Sequence, residues 1–118
     1  MKNSILGFLK PGGINDGERL AAKYLKKQGY QILAQNYKAK MGEIDIILVD
    51  KDILVFVEVK QRKTPYFGAP REYVTKEKVR KIKNTAQLYL MKTKHPGNVR
   101  FDVVEVLGDE INHIKNAF

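Results

Sequence analysis

The chain has 118 residues, of which 43% are hydrophobic, and this favours one domain with a single core over a disordered chain. It contains no cysteine, which excludes disulfides and thiolate zinc sites and fits a cytoplasmic protein. No apolar run approaches the length of a bilayer span, and residues 1–10 are too short and too charged for a signal peptide. The formal net charge of +9 favours a polyanion, rather than a membrane, as the partner.

The positive charge is concentrated in one segment, residues 60–83, which holds nine Lys or Arg and only two acids. The nine are Lys60, Arg62, Lys63, Arg71, Lys76, Lys78, Arg80, Lys81 and Lys83. Such a segment is either a phosphate-binding surface or a solubilising helix face.

The N-terminal part of the chain is predicted to be an arm followed by a helix. Residues 1–14 show no regular pattern, so we place a flexible arm there and a single domain at 15–118. A helix is predicted over about 15–28, with an apolar stripe at helical spacing. Gly29 suits the left-handed residue that follows a helix end.

Three strands are predicted next, at 30–37, 43–49 and 53–60. The last two are nearly continuous apolar runs, as expected of a sheet that is covered on both faces. The turn signal at 50–52 predicts that these two strands pair as an antiparallel hairpin.

The rest of the chain contains a loop, a second helix and further strands. Residues 61–74 include prolines and glycine and are predicted to be irregular. A helix is predicted over 75–92, a strand over 99–107 and a short strand around 111–114. This order indicates an α/β fold with a mixed sheet flanked by helices.

Two acids in the predicted hairpin are the main candidates for chemistry, because Asp45 and Glu58 each interrupt an apolar run. A buried carboxylate is unfavourable unless it is paired, hydrogen-bonded or bound to a metal. Side chains alternate across a strand, so Glu58 and Lys60 project from the same face. A register that pairs Val49 with Leu54 would also place Asp45 opposite Glu58.

This combination of groups is typical of a magnesium or manganese site. Asp45, Glu58 and the backbone carbonyl of Val59 would supply the hard oxygen ligands that Mg²⁺ or Mn²⁺ prefers. Lys60 could then orient a water or stabilise the charge that develops on a phosphate. The alternative is structural, with Glu58 paired to Lys60 and Asp45 paired to an arginine.

The same residues resemble the PD-(D/E)xK nuclease superfamily, with Asp45 as the motif aspartate and 58–60 as the ExK tripeptide. The flanking residues resemble the YraN-like family more closely. They are Gly17-Glu18, Asn36, GEIDII at 42–47, FVEVK at 56–60 followed by Arg62, and RFDVV at 100–104. The resemblance implies a restriction-endonuclease-like α-β-β-β-α-β core and an endonuclease-like activity related to that of archaeal Holliday junction resolvases. One departure is that Ile44, not proline, precedes Asp45.

The resemblance also bears on Glu18, in the first predicted helix. In the related resolvases a glutamate at this place completes the metal site, which implies that Glu18 is a further metal ligand. The alternative is that Asn15 and Glu18 form a capping box, in which the glutamate bonds back to the start of the helix.

Together these features predict a Mg²⁺-dependent phosphodiesterase acting on DNA, including branched or damaged DNA. Arg62, Lys63, Arg71 and the basic residues of the second helix would bind phosphates independently of sequence. Tyr66 and Phe67 would stack on an unpaired base or anchor their loop. The alternatives are a non-catalytic nucleic-acid-binding module on the same fold and a protein-interaction subunit. A resolvase cuts symmetrically only as a dimer, so a homodimer is compatible with the resemblance.

Two residues outside the proposed site also interrupt the apolar pattern. Asp102 lies in an apolar strand and would either orient a base near the site or pair with Arg100. Tyr89, in the second helix, is interpreted as part of the core. His95 and His113 have no partners at metal-ligand spacing and are assigned no role.

Overall fold

The structure of the protein is a computed structural model that describes residues 16–62, 74–95 and 97–118. Within these residues it contains two helices and five strands in the predicted order. They are α1 (Asp16–Lys27), β1 (Gln31–Ala39), β2 (Gly42–Asp50), β3 (Ile53–Arg62), α2 (Lys76–Thr93), β4 (Val99–Leu107) and β5 (Glu110–Ile114). The α/β class and the α-β-β-β-α-β order are thus confirmed. The arm predicted at 1–14 lies outside the described residues.

The five strands form one mixed sheet in the order β1-β2-β3-β4-β5. Strands β3 and β4 are parallel, and the other neighbouring pairs are antiparallel. A parallel pair requires a crossover connection, which α2 provides between β3 and β4. The β2–β3 hairpin has the predicted register, with Val49 opposite Leu54.

Helix α1 covers one face of the sheet. Its buried residues Ala21, Ala22 and Leu25 recur at helical spacing and pack against a cluster that includes Ile46 and Val57. The helix is followed by a glycine at position 29 with φ of 96°, the left-handed conformation that the sequence predicted there. This glycine turns the chain into β1, so that α1 lies back against the strands.

Helix α2 covers the opposite face of the sheet. Thr75 caps its start by accepting a hydrogen bond from the Lys78 amide at 3.1 Å. Ile82 and Ala86 pack against the strands with Tyr89, whose predicted place in the core is confirmed. No helix in the described residues is long and apolar enough to span a membrane.

Strand β3 is longer than its sequence indicated. The irregular segment was predicted to begin at residue 61, but β3 continues through Arg62, which pairs with Leu107 of β4. Pairing with β4 therefore extends β3 by two residues into the segment whose prolines and glycine predicted irregular structure. Most of that segment, residues 63–73, lies outside the described residues.

Candidate active site

The position of Asp45 is determined by the place where β2 and β3 separate. Their ladder ends at the pair of Ile46 with Val57, one residue short of Asp45 and Glu58. Beyond that point the Val59 amide donates to Oδ2 of Asp45 at 2.8 Å, and not to a carbonyl of β2. The Asp45 carboxylate therefore lies between the two strands and replaces a backbone acceptor.

A local irregularity of β2 accompanies this separation. Ile44 and Ile47 both pack on the α2 face, whereas Ile46 packs on the α1 face. Strict alternation would have placed Ile44 and Ile46 on the same face. The neighbouring strand β1 has Asn36 in the left-handed region at the same level, with φ of 57°. The alternation of side chains between the two sheet faces is thus interrupted in both strands at the level of Asp45. This interruption turns the Asp45 carboxylate toward β3.

Glu58 is buried beside Asp45, with only 6% of its surface exposed. The pKa of Glu58 is raised from 4.5 to about 8, chiefly by burial and then by the charge of Asp45 and a hydrogen bond with Asp45. Lys78 and Lys60 act in the opposite direction, and Nζ of Lys78 lies 3.7 Å from Oε2 of Glu58. Asp45 and Lys60 thus both lie close enough to Glu58 to influence its charge.

The backbone of Val59 adds a further oxygen on the same side. In a strand the N–H and C=O groups of one residue point toward the same neighbour. Since the Val59 amide points to Asp45, its carbonyl also faces the space between β2 and β3. The oxygen atoms that could hold a cation there are the carboxylates of Asp45 and Glu58 and this carbonyl.

Glu18, the fourth predicted ligand, lies in the first turn of α1 and is half-buried. Helix α1 covers the face opposite α2, whereas Glu58 is turned toward Lys78 of α2. In the described part of the chain no three acidic or histidine side chains are grouped so that they could hold a metal ion together. The role of Glu18 as a ligand remains a prediction.

Arg62, predicted to bind phosphate, is paired within the protein. Its guanidinium donates to the Glu105 carboxylate, and each of these side chains is only 10% exposed. Glu105 lies beside Lys60 in the parallel β3–β4 pair. This ion pair therefore forms part of the wall of the site, next to Lys60.

The basic residues of α2 that were predicted to bind phosphate are all exposed. They are Lys76, Lys78, Arg80, Lys81 and Lys83. Three of them have nearby partners, since Lys78 lies 3.7 Å from Glu58, Lys81 lies 3.6 Å from Glu77 and Lys83 lies 5.5 Å from the centre of the Phe101 ring. Lys63, Arg71, Tyr66 and Phe67 lie outside the described residues.

Lys78 was predicted to contact phosphate but not to lie beside Glu58. Its spacing in the sequence carries no signal for this position, because the contact with Glu58 depends on how α2 packs across the sheet. The bond from Val59 to Asp45 was also missed, since strict alternation was assumed along β2.

Asp102 belongs to a separate, structural cluster on the α1 face. Its fully buried carboxylate accepts two hydrogen bonds from Arg100, each at 2.9 Å, which confirms the pairing predicted from the sequence. His113 at 2.7 Å and the Asn116 amide at 2.9 Å complete its surroundings. Burial alone would raise the pKa of Asp102, but the hydrogen bonds from His113, Arg100 and Asn116 together lower it. His113 therefore has a structural partner that the sequence did not reveal.

Comparison with known proteins shows which family the chain is similar to. Residues 17–106 match the uncharacterised protein family UPF0102. A UPF0102 protein of Lachnoclostridium phytofermentans is 52% identical over 103 residues, which cover 86% of this chain and 87% of the relative. Others from Persephonella marina (45% identity, 87% and 90% coverage) and Desulfosudis oleivorans (50% identity, 86% and 85% coverage) are also similar. The chain therefore belongs to the UPF0102 family.

Proposed function

We propose that this protein is a metal-dependent phosphodiesterase that cleaves nucleic acid, with DNA as the expected substrate. The observation that carries the proposal is the meeting of Asp45, Glu58 and Lys60 where β2 separates from β3. The site lies toward the carboxyl end of β3, the end at which ligands commonly bind in sheets with parallel strands. The resemblance of these residues to the motif of PD-(D/E)xK nucleases also supports the proposal.

The donor atoms fit Mg²⁺ or Mn²⁺. Both ions prefer oxygen ligands, and Mg²⁺ keeps several waters, so two carboxylates and a carbonyl are sufficient protein donors. Two carboxylates held together disfavour each other's charge, and after burial the charge of Asp45 is the second cause that raises the pKa of Glu58. A divalent cation held by Asp45 and Glu58 would remove that repulsion when both groups are ionised.

Two lysines beside the carboxylates, Lys60 and Lys78, would contact the phosphates of the substrate. When bound, the cation would lower the pKa of a water and offset negative charge on the phosphate. Lys60 projects from the same strand as Glu58, two residues away, and its ammonium would stabilise the charge that develops on the phosphoryl oxygens. Lys78 would hold a neighbouring phosphate, because it also lies at this edge of the site.

A nucleic acid is the expected substrate because the protein is strongly basic and exposed lysines of α2 lie near the carboxylates, and DNA is expected from the resemblance to PD-(D/E)xK nucleases. Contacts from lysine to phosphate position a nucleic acid but do not select its sequence. We therefore expect selection among substrates by their structure, through branches, single strands or damage.

The test is cleavage of a panel that contains duplex, single-stranded, flap and four-way-junction DNA, and RNA, with Mn²⁺. We expect the wild type to cleave at least one member, and Glu58→Gln and Lys60→Ala to be at least about 100-fold slower. Glu110→Gln and Lys23→Ala, which make the same types of change at exposed positions outside the site, should cleave like the wild type. Equal rates for wild type and Glu58→Gln would remove the catalytic assignment.

A second measurement separates the enzyme from a simple binding module. Calorimetric titration with Mn²⁺ should show binding that is lost in Asp45→Asn, a variant that retains an oxygen able to accept from the Val59 amide. DNA binding that is unaffected by Mn²⁺ and by Lys60→Ala, together with no cleavage of any substrate, would instead identify a non-catalytic module.

A further inference from the structure

A groove opens beside the carboxylate pair, between the β1–β2 hairpin and α2. It has a volume of about 460 Å³, and its charged lining consists of Lys38, Lys40, Glu43, Lys78 and Lys81. The hairpin approaches α2 closely at Gly42, where a Cβ atom would lie 2.8 Å from Oγ1 of Thr85. A larger residue at this position would push the two walls apart.

The charge of the groove suits a chain of phosphates. Four lysines outnumber its single acid, Glu43, and Lys40, Lys78 and Lys81 are all exposed. Lys78 belongs to the groove and also lies 3.7 Å from Glu58. A polyanion bound along the groove would therefore reach the carboxylate pair at one end.

A second hollow continues from the groove and differs from it in chemistry. It has a volume of about 380 Å³ and is lined by Met41, Asn84, Gln87, Leu88 and Met91. Met41 lines both hollows, so they adjoin. Met41 and Met91 are 43% and 66% exposed, and because they line the same hollow they form an apolar patch and are not isolated exposed side chains. Among the described residues, the lining of the second hollow thus offers apolar surface and amide groups but no charged side chain.

We propose that the two hollows together bind single-stranded nucleic acid, with phosphates on Lys40, Lys78 and Lys81 and an unpaired base against Met41 and Met91. A charged groove combined with a surface for bases is how single strands are bound without sequence preference. The methionine thioether makes favourable contacts with aromatic rings, and a nucleobase presents such a ring. The faces of the bases are covered in a duplex, which would use the lysines but leave the methionines in water.

This inference concerns the substrate of the proposed phosphodiesterase, and its link to cleavage rests on that function. A strand that runs from the methionines past Lys78 would bring a phosphate to Asp45 and Glu58. The preferred substrate would therefore have an unpaired segment next to the phosphate that is cleaved.

The binding can be tested in EDTA, where metal-dependent cleavage does not occur. Fluorescence anisotropy of a labelled single strand of about ten nucleotides would be compared with the corresponding duplex and with an abasic strand of the same length. Each phosphate contact on a single strand contributes a slope of about −0.7 to the dependence of log K on log salt. Lys40→Gln/Lys81→Gln should therefore reduce the slope by about 1.4 and weaken binding by about 25-fold at about 0.1 M salt.

The methionines are tested by a different signature. Met41→Ser/Met91→Ser should weaken binding of the single strand by about tenfold, with an unchanged salt slope. It should leave binding of the duplex and of the abasic strand unchanged, because neither presents a free base. Lys23→Gln/Lys26→Gln, two exposed lysines of α1 on the other face of the sheet, is the matched control for the loss of two charges.

Two outcomes would overturn the inference. One is an equal loss of affinity in the two double-lysine variants, since the groove would then have no special role. The other is a methionine variant that binds the single strand as tightly as the wild type. Either result leaves the Mn²⁺-dependent cleavage assay unaffected, so failure of this inference is distinguishable from failure of the proposed function.

Discussion

Replacing Glu58 with glutamine should remove a pH dependence of stability that this residue imposes on the metal-free protein. Its pKa is about 8 in the folded protein against 4.5 for an unperturbed glutamate. Between these values the folded protein holds a proton that the unfolded chain has lost. The contribution of Glu58 to the free energy of unfolding is therefore fully present below about pH 4.5 and is lost as the pH rises through about 8.

The size of this change in stability follows from the interval between the pKa of Glu58 in the unfolded chain and its pKa in the folded protein. Each pH unit within it changes the free energy of unfolding by about 1.4 kcal/mol. A scan from about pH 5 to about pH 9 covers about three such units, so the contribution of Glu58 should fall by about 4 kcal/mol. That is a large part of the about 5–15 kcal/mol that stabilises a typical domain. Since Glu58 is buried, solvent does not screen most of this effect.

The measurement is urea unfolding in EDTA at several pH values, for wild type and Glu58→Gln. The free-energy difference between the two should shift by about 4 kcal/mol in favour of the variant from about pH 5 to about pH 9. Glu110→Gln, the same substitution at an exposed position, controls for the loss of one charge. A difference between wild type and Glu58→Gln that is constant across the scan would refute the reasoning about the buried carboxylate.

Two further predictions concern the framework around the site. Gly42→Ala should lower the free energy of unfolding by about 1–3 kcal/mol, because its Cβ atom would lie 2.8 Å from Oγ1 of Thr85. In urea unfolding the loss should be smaller in a Thr85→Ala background, and equal losses in both backgrounds would exclude this clash as the cause. Asp102→Asn should destabilise by about 1–3 kcal/mol, because Arg100 and His113 lose a buried, charged acceptor, while Asp50, 3.0 Å from Arg100, remains as its second partner. An effect no larger than that of Asp109→Asn, at an exposed turn, would show that the pairing is unimportant.

The sequence predicted the elements of the fold well because their signals are local. The apolar runs, the turn signal at 50–52 and the glycine at 29 identified the helices and strands to within about three residues of their observed ends. The β2–β3 register was also predictable, since a turn of defined length fixes which residues face each other. Asp45 and Glu58 stood out because carboxylates are rare within apolar strands.

The features that the sequence did not reveal depend on contacts distant in the chain. The pairing of Arg62 with Glu105 requires β4 to lie parallel to β3, and local periodicity does not specify which strands are neighbours. The approach of Lys78 to Glu58 depends in the same way on the path of α2. Sequence reasoning therefore identified the acids of the site but not the residues that surround them.

The hydrogen bond from the Val59 amide gives Asp45 a structural task as well as a chemical one. A variant such as Asp45→Ala would lose both the charge and the acceptor, so a loss of activity could follow from a distorted β3 alone. Glu58 has no such bond to the backbone among the hydrogen bonds that the structure describes, and apolar residues surround it in β3. At neutral pH Glu58 lowers the stability of the metal-free protein, because the folded chain must take up a proton that the unfolded chain has lost. A buried glutamate that lowers stability, next to the negative charge of Asp45, is the arrangement expected of a cation-binding site. Glu58 is therefore the more decisive residue for testing the site.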